Sequence, residues 1–271
     1  MKVKYFLFIF LLLILLIPLV SGHEEEIFEE EVNHEENKVH EAKELSVRLI
    51  IIASIIILTL VFIAIFVRKP TENLKKILFF GIIIVTLAVT FYVAYSTITL
   101  NLVSETRGPV HWHADFEIWN CGKKIDVVNP MGLSNRVGSN VFHEHGDNRI
   151  HVEGVVINKQ NVDLHNFINV IGGSIKKDYL GLQTVEGSFE VKDGDLCNGK
   201  EGKLQAFVYK TEGNKYEQIK VEDFPDYVLS PYAYVPPGDC IIIEFDEEKE
   251  RTDKICETYK AAIQKGDIIG S

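Results

Sequence analysis

Five histidines fall between positions 111 and 151 of this chain: His111, His113, His143, His145 and His151. They come as two His-x-His pairs and a fifth ring, and a spacing of two is the period of a β-strand, on which residues i and i+2 share a face. Neutral imidazole is the commonest transition-metal ligand, and three or four converging nitrogens suit Zn, Cu, Ni or non-haem Fe. Asp115, Glu117 and Glu153, with Glu144 and Asp147, are the neighbouring carboxylates. They are candidates for a further ligand or for partners that orient the rings from behind. A lone histidine more often hydrogen-bonds in or near a core, but five at this spacing point to a metal site.

The elements that must carry these residues are legible locally. In HWHADFEIW, alternation sends Trp112, Ala114, Phe116 and Ile118 to one face and His111, His113, Asp115 and Glu117 to the other. The NCGK that follows reads as a turn, with KIDVV returning as a partner strand. In VFHEHGDNRIHVEGVVI, the turn formers Gly146, Asp147 and Asn148 imply a hairpin with arms 141–145 and 149–157. That register places His143 directly opposite His151, and His145 opposite Arg149, with Glu153 on the face of His151.

Farther on, VDLHNFINVIGG reads as a short helix capped by Asp163 and ended by Gly172 and Gly173, with His165 a weaker candidate on it. KLQAFVYK and DCIIIEFD read as strands, the second entered through the turn PPGD. Residues 252–264 read as a closing helix with Ile255, Tyr259, Ala262 and Ile263 on one face and Gly266 past its end. Tyr227, Tyr232 and Tyr234 stand in an aromatic-rich loop, as packing residues or a binding patch. Cys121, Cys197, Cys240 and Cys256 all lie in this part and read as two disulfides, with three possible connectivities. Residues 107–271 are therefore expected to form an α+β domain, mainly antiparallel β with one or two short helices.

The chain before this domain is of another kind. Its 271 residues are 46% hydrophobic with a formal charge of −11, but both figures are concentrated rather than spread. Lys2 and Lys4 precede an apolar stretch over 5–20 closed by Ser21 and Gly22, so 1–22 reads as a secretory signal peptide, or alternatively as an uncleaved N-terminal anchor. Residues 23–44 hold ten Glu against two Lys, a local charge of −8. Such a run reads as a solvated acidic external segment over 23–45, or as a loose cation collector through its own carboxylates and His23, His34 and His40.

Two uncharged runs follow, and each is long enough to cross a hydrocarbon core of about 30 Å. They give expected transmembrane helices over 46–67 and 77–100, joined by a cytoplasmic loop over 68–76. That loop carries Arg68, Lys69, Lys75 and Lys76 against Glu72, the charge pattern kept on the cytoplasmic side. The expectation is a two-helix hairpin in the cell membrane, a multi-pass protein with its C-terminal domain outside the cytoplasm. Neither span carries an ionisable residue apart from Arg48 at a boundary, which favours an anchor over a conduction path.

His111, His113 and Ala114 followed by His143, His145, Asp147, Ile150, His151, Val152 and Glu153 resemble an uncharacterised exported domain family of archaea and bacteria. Its members carry H-x-H-A and then H-x-H-D with I-H-V-E. The resemblance extends through LHNFINVIGG and YVLSPYAYVPPGDCIIIEF and covers most of 108–246. It implies an extracytoplasmic α+β domain and assigns no reaction. This chain departs in placing Gly146 between His145 and Asp147, so Asp147 stands one residue beyond the family's acidic position. His111, His113 and Glu117 also resemble the H-x-H-x-x-x-E of cupins, though without that family's glycine and second histidine spacing.

Three functions are compatible with these features. The first is a membrane-anchored protein that binds a transition metal for capture, buffering or sensing. The second is a metalloenzyme with an open coordination position and Glu117, Glu144 or Glu153 as general base. The third is an anchored interaction domain with structural histidines. No H-E-x-x-H, G-x-S-x-G, phosphate loop or dinucleotide glycine pattern occurs, and no basic face for nucleic acid.

Overall fold

The computed structural model describes residues 34–131, 135–139, 141–230 and 238–270. The expected signal sequence, the acidic residues up to 33, the PP of the PPGD turn, Tyr232 and Tyr234 lie outside them. The chain divides into two units, Met1–Leu100 and Asn101–Ser271.

The first unit contains two helices, α1 (His34–Phe66) and α2 (Glu72–Val103). Both are long and apolar enough to cross a membrane, over Glu41–Phe66 and Glu72–Val103. Side chains such as Ile65, Phe91 and Tyr95 stand exposed along them, as lipid-facing positions would. Helix α1 begins well upstream of the expected 46, because Glu41, Ala42, Lys43 and Glu44 are good helix formers and Glu44 pairs with Arg48 one turn on. The connection is shorter than the expected 68–76. Pro70 disfavours helix at Lys69, while the Thr71 hydroxyl accepts the Leu74 N–H at 3.2 Å and starts α2 at once. Ser54, Thr59 and Thr90 donate to carbonyls four residues back, so these hydroxyls are satisfied within their own helices.

The second unit is built on a nine-stranded mixed sheet. Its strands are β1 (Pro109–Asn120), β2 (Lys123–Ile125), β3 (Val137–Gly138), β4 (Phe142–Glu144), β5 (Arg149–Val155), β11 (Lys203–Glu212), β12 (Lys215–Val221), β13 (Cys240–Asp246) and β14 (Ile269–Gly270). The order is β14-β12-β11-β13-β1-β5-β4-β3, with β2 paired to the end of β1. Pairing is antiparallel except between β1 and β13 and between β12 and β14. Strands β6 (Ser174–Lys176), β7 (Tyr179–Thr184) and β8 (Gly187–Lys192) form a separate three-stranded sheet, and β9 (Leu196–Cys197) with β10 (Lys200–Glu201) a small ribbon.

The alternation of β1 divides the domain into two cores. Trp112, Ala114, Phe116 and Ile118 join Ile241, Ile243 and Phe245 of β13 in the larger one. It is closed by α3 (Leu164–Val170) and the β6–β8 sheet through Phe167, Ile168, Ile175 and Leu180. Asp163 caps α3 by accepting the Asn166 N–H at 2.7 Å, as its sequence implies. The other face is covered only in part, by α4 (Glu257–Lys265), whose Tyr259 and Ala262 pack on Phe207, Cys240 and Ile242. Helix α4 starts later than the expected 252 because the carbonyls of Thr252 and Lys254 are taken by the Gln218 amide and the Tyr209 hydroxyl.

Disulfides join Cys121 to Cys197 and Cys240 to Cys256, resolving the three possible connectivities. The first ties the β1–β2 turn to β9, and the second ties β13 to the start of α4. Cys121 and Gly122 both have positive φ, 50° and 83°, the conformation a two-residue hairpin turn demands.

Candidate metal centre

The histidines lie on the part of the sheet that α4 leaves uncovered. Strand β5 pairs antiparallel with β1, placing His151 opposite His113 and Glu153 opposite His111. On its other edge β5 pairs with β4, placing His151 opposite His143, the register that the hairpin implied. His113, His151 and His143 thus form one row across three adjacent strands, spaced by the roughly 4.8 Å between neighbours in a sheet. Strands β1 and β4 run in the same direction on either side of β5. His111, two residues before His113, and His145, two after His143, therefore leave the row on opposite sides.

Ring positions follow the register. Centroids are 4.9 Å apart for His113 and His151 and 5.5 Å for His143 and His151. His111 is 4.4 Å from His113, and His145 is 4.7 Å from both His143 and His151. Two groups result that could hold a metal ion, His111–His113–His151 and His143–His145–His151. Within each, one ring nitrogen of every member lies within 4.8 Å of the others.

Burial grades across the cluster. His143 is 1% exposed and His151 9%, whereas the His111 side chain is 60% exposed. Burial, reinforced by the charges of His151, His111 and Arg149, lowers the His113 pKa to about 4. Burial likewise lowers His143 to about 4, with His145, His151 and Arg136 adding to the effect and Glu153 opposing it. At neutral pH both rings are therefore uncharged, the form that donates a lone pair to a metal. Their surroundings offer the rings little else to bind. Among the described residues the Nδ1 atoms of His113, His143 and His151 are buried and lack a hydrogen-bond partner. Three orphaned nitrogens in one row are unusual, because buried polar atoms are normally satisfied.

The carboxylates sort themselves by reach. Glu153 lies 3.1 Å from Nε2 of His111 and 3.9 Å from Nε2 of His143. Asp147 lies 3.4 Å from Nε2 of His151, so the extra Gly146 does not remove it from the site. Its carboxyl is held below the usual range, since the bond and charge of His151 and the charge of Arg149 outweigh burial. Both acids sit where a carboxylate fixes the tautomer of a ligating ring.

Asp115 and Glu117, grouped with the histidines by their face of β1, are not brought to them. Asp115 is taken by Arg149 Nε at 2.7 Å and by the Thr258 hydroxyl, a clasp between β1, β5 and α4 that the sequence did not announce. Glu117 is 2% exposed and is bound by Lys124 Nζ at 3.1 Å and Trp119 Nε1 at 3.0 Å. It stands about 13 Å along the strand from His113, so the cupin-like His-His-Glu set is not assembled. Glu144 faces away from His143, fully buried, and accepts the Asn148 N–H at 3.3 Å; burial raises its pKa. His165 is engaged on α3 by the Ile175 carbonyl and the Asn169 amide, apart from the cluster.

The scaffold behind the row is closely packed. Phe116 of β1 and Phe142 of β4 both pack on Phe167 of α3, with centroids 5.0 and 5.4 Å away. Gly138 lies opposite His143, and a Cβ there would stand 2.6 Å from the Phe142 carbonyl and 3.0 Å from the His143 Cα. The approach of β3 to β4 thus requires glycine. The geometry supplies imidazole nitrogens on one face of the sheet, with the partly exposed carboxylates of Glu153 and Asp147 beside them. No protein-family model, curated protein or solved structure matches this chain.

Proposed function

We propose that this is a membrane-anchored protein whose C-terminal domain lies outside the cytoplasm and binds a transition metal, for capture, buffering or sensing. The carrying observation is the row His113–His151–His143, with three buried Nδ1 atoms that have no partner among the described residues. An all-imidazole donor set suits Zn, Cu, Ni or Fe. The orientation is supported by the positive loop between α1 and α2 and by the two disulfides of the second unit. A metalloenzyme is a second reading, favoured by Glu153, which reaches His111 and His143 with its own side chain 41% exposed.

The test is metal content. The full chain, purified in detergent from an oxidising compartment and loaded in turn with Zn, Cu, Ni and Fe, is expected to retain at least one ion per chain. A variant combining His113→Ala, His143→Ala and His151→Ala is expected to retain none. Absence of any bound metal in the wild type overturns the reading.

A further inference from the structure

The two histidine groups share one member. His111 and His113 approach His151 from β1, and His143 and His145 approach it from β4. A metal bonded to imidazole nitrogens at about 2.0–2.1 Å requires its ligand atoms to lie within about 4 Å of one another. His113 and His143 stand two strand spacings apart, about 10 Å at the backbone, with the His151 ring filling the gap. One ion bound to all five is therefore disfavoured by the register itself, whereas each triad already brings its ligand nitrogens within 4.8 Å of one another, a spacing that small side-chain rotations close around one ion. The two are laid out alike: a cross-strand neighbour of His151 and that neighbour's i±2 companion, on opposite sides of the row.

The shared ring has both nitrogens available for such a role. Among the described residues, Nδ1 of His151 is buried without a partner and Nε2 has the 3.4 Å contact with Asp147. Two carboxylates lie beside the cluster, Glu153 near His111 and His143, and Asp147 near the shared His151. We infer that the five histidines form a two-ion centre, with His111 and His113 holding one metal, His143 and His145 the other, and His151 bridging them through its two ring nitrogens. Bridging requires the ring to give up its remaining N–H proton, which passes to solvent as the second ion binds. The inference rests on the metal-binding reading above and adds to it a stoichiometry and a shared ligand.

Copper is the informative probe, because an imidazole-bridged Cu(II) pair couples its electron spins. The full chain in detergent, saturated with Cu(II) and freed of excess, is expected to hold two coppers per chain while its paramagnetic resonance signal integrates to well under two spins. The double variants His111→Ala/His113→Ala and His143→Ala/His145→Ala are each expected to hold one copper with a full, uncoupled signal. His151→Ala is expected to lose the coupling. The wild-type measurement needs no variant to fold. One copper per chain, or two giving two full spins, overturns the bridged pair while leaving metal binding intact. No copper, together with no uptake of the other metals, overturns both.

Discussion

An imidazole nitrogen that holds a proton cannot hold a metal, so the lowered pKa values of His113 and His143 govern the acid behaviour of the site. Both fall from 6.5 to about 4 in the folded domain. The unfolded chain takes up protons at these rings below about pH 6.5, which the folded chain refuses until about pH 4. Folded stability of the metal-free protein is therefore fully present above 6.5 and is lost progressively as pH falls to about 4. Trp112 and Trp119 are the chain's two tryptophans and both lie on β1, so their fluorescence follows the strand directly. The urea midpoint read this way is expected to fall between pH 6.5 and 4, with a shallower fall in His143→Gln. An unchanged slope in that variant contradicts the assignment. Asp115 shows how residue type alone misleads. It shares a face with the histidines, but Arg149 and Thr258 hold its oxygens, and a carboxylate so paired has little left for a metal.

At the scale of elements, the site depends on β1, β5 and β4 keeping register, and the two-residue β3 beside β4 is the contact most exposed to failure. Gly138→Ala places a Cβ against the Phe142 carbonyl, with φ at +113°, a conformation strained for any other residue. The expected cost is about 1–3 kcal/mol, seen as a lower melting temperature, with metal lost first from His143 and His145. Wild-type stability and stoichiometry in this variant refute the role given to Gly138. What was legible here was local. The alternation of 111–118 and the turn at Gly146–Asn148 were enough to pair His143 with His151, because a hairpin's register follows from its loop. The pairing of His113 with His151 was not legible, since β1 and β5 are joined by a long excursion through β2, β3 and β4 that fixes no register. The late start of α4 was hidden for a similar reason, since Tyr209 and Gln218, which claim the carbonyls before it, come from distant strands.

At the scale of the whole molecule, the orientation proposed for the two apolar helices has a direct check. All four native cysteines are in disulfides, so Thr71→Cys in the short connection between α1 and α2 introduces the one free thiol among them. A membrane-impermeant maleimide is expected to label it in inverted vesicles and to leave it unlabelled in intact cells; labelling in intact cells reverses the orientation. The strand order carries a consequence in time. Asp115 lies opposite Arg149 on one edge of β1 and opposite Cys240 on the other. A chain exported amino end first delivers β1, β4 and β5 together and β13 only near the finish. During that interval the Asp115–Asn120 half of β1 offers a bare edge, the feature through which unfinished sheets aggregate. An ion already gripped by the early strands would favour the conformer that waits correctly for the last one. Under the proposed export and metal binding, the supply of metal during secretion would govern how many molecules mature, and not only how many are later filled.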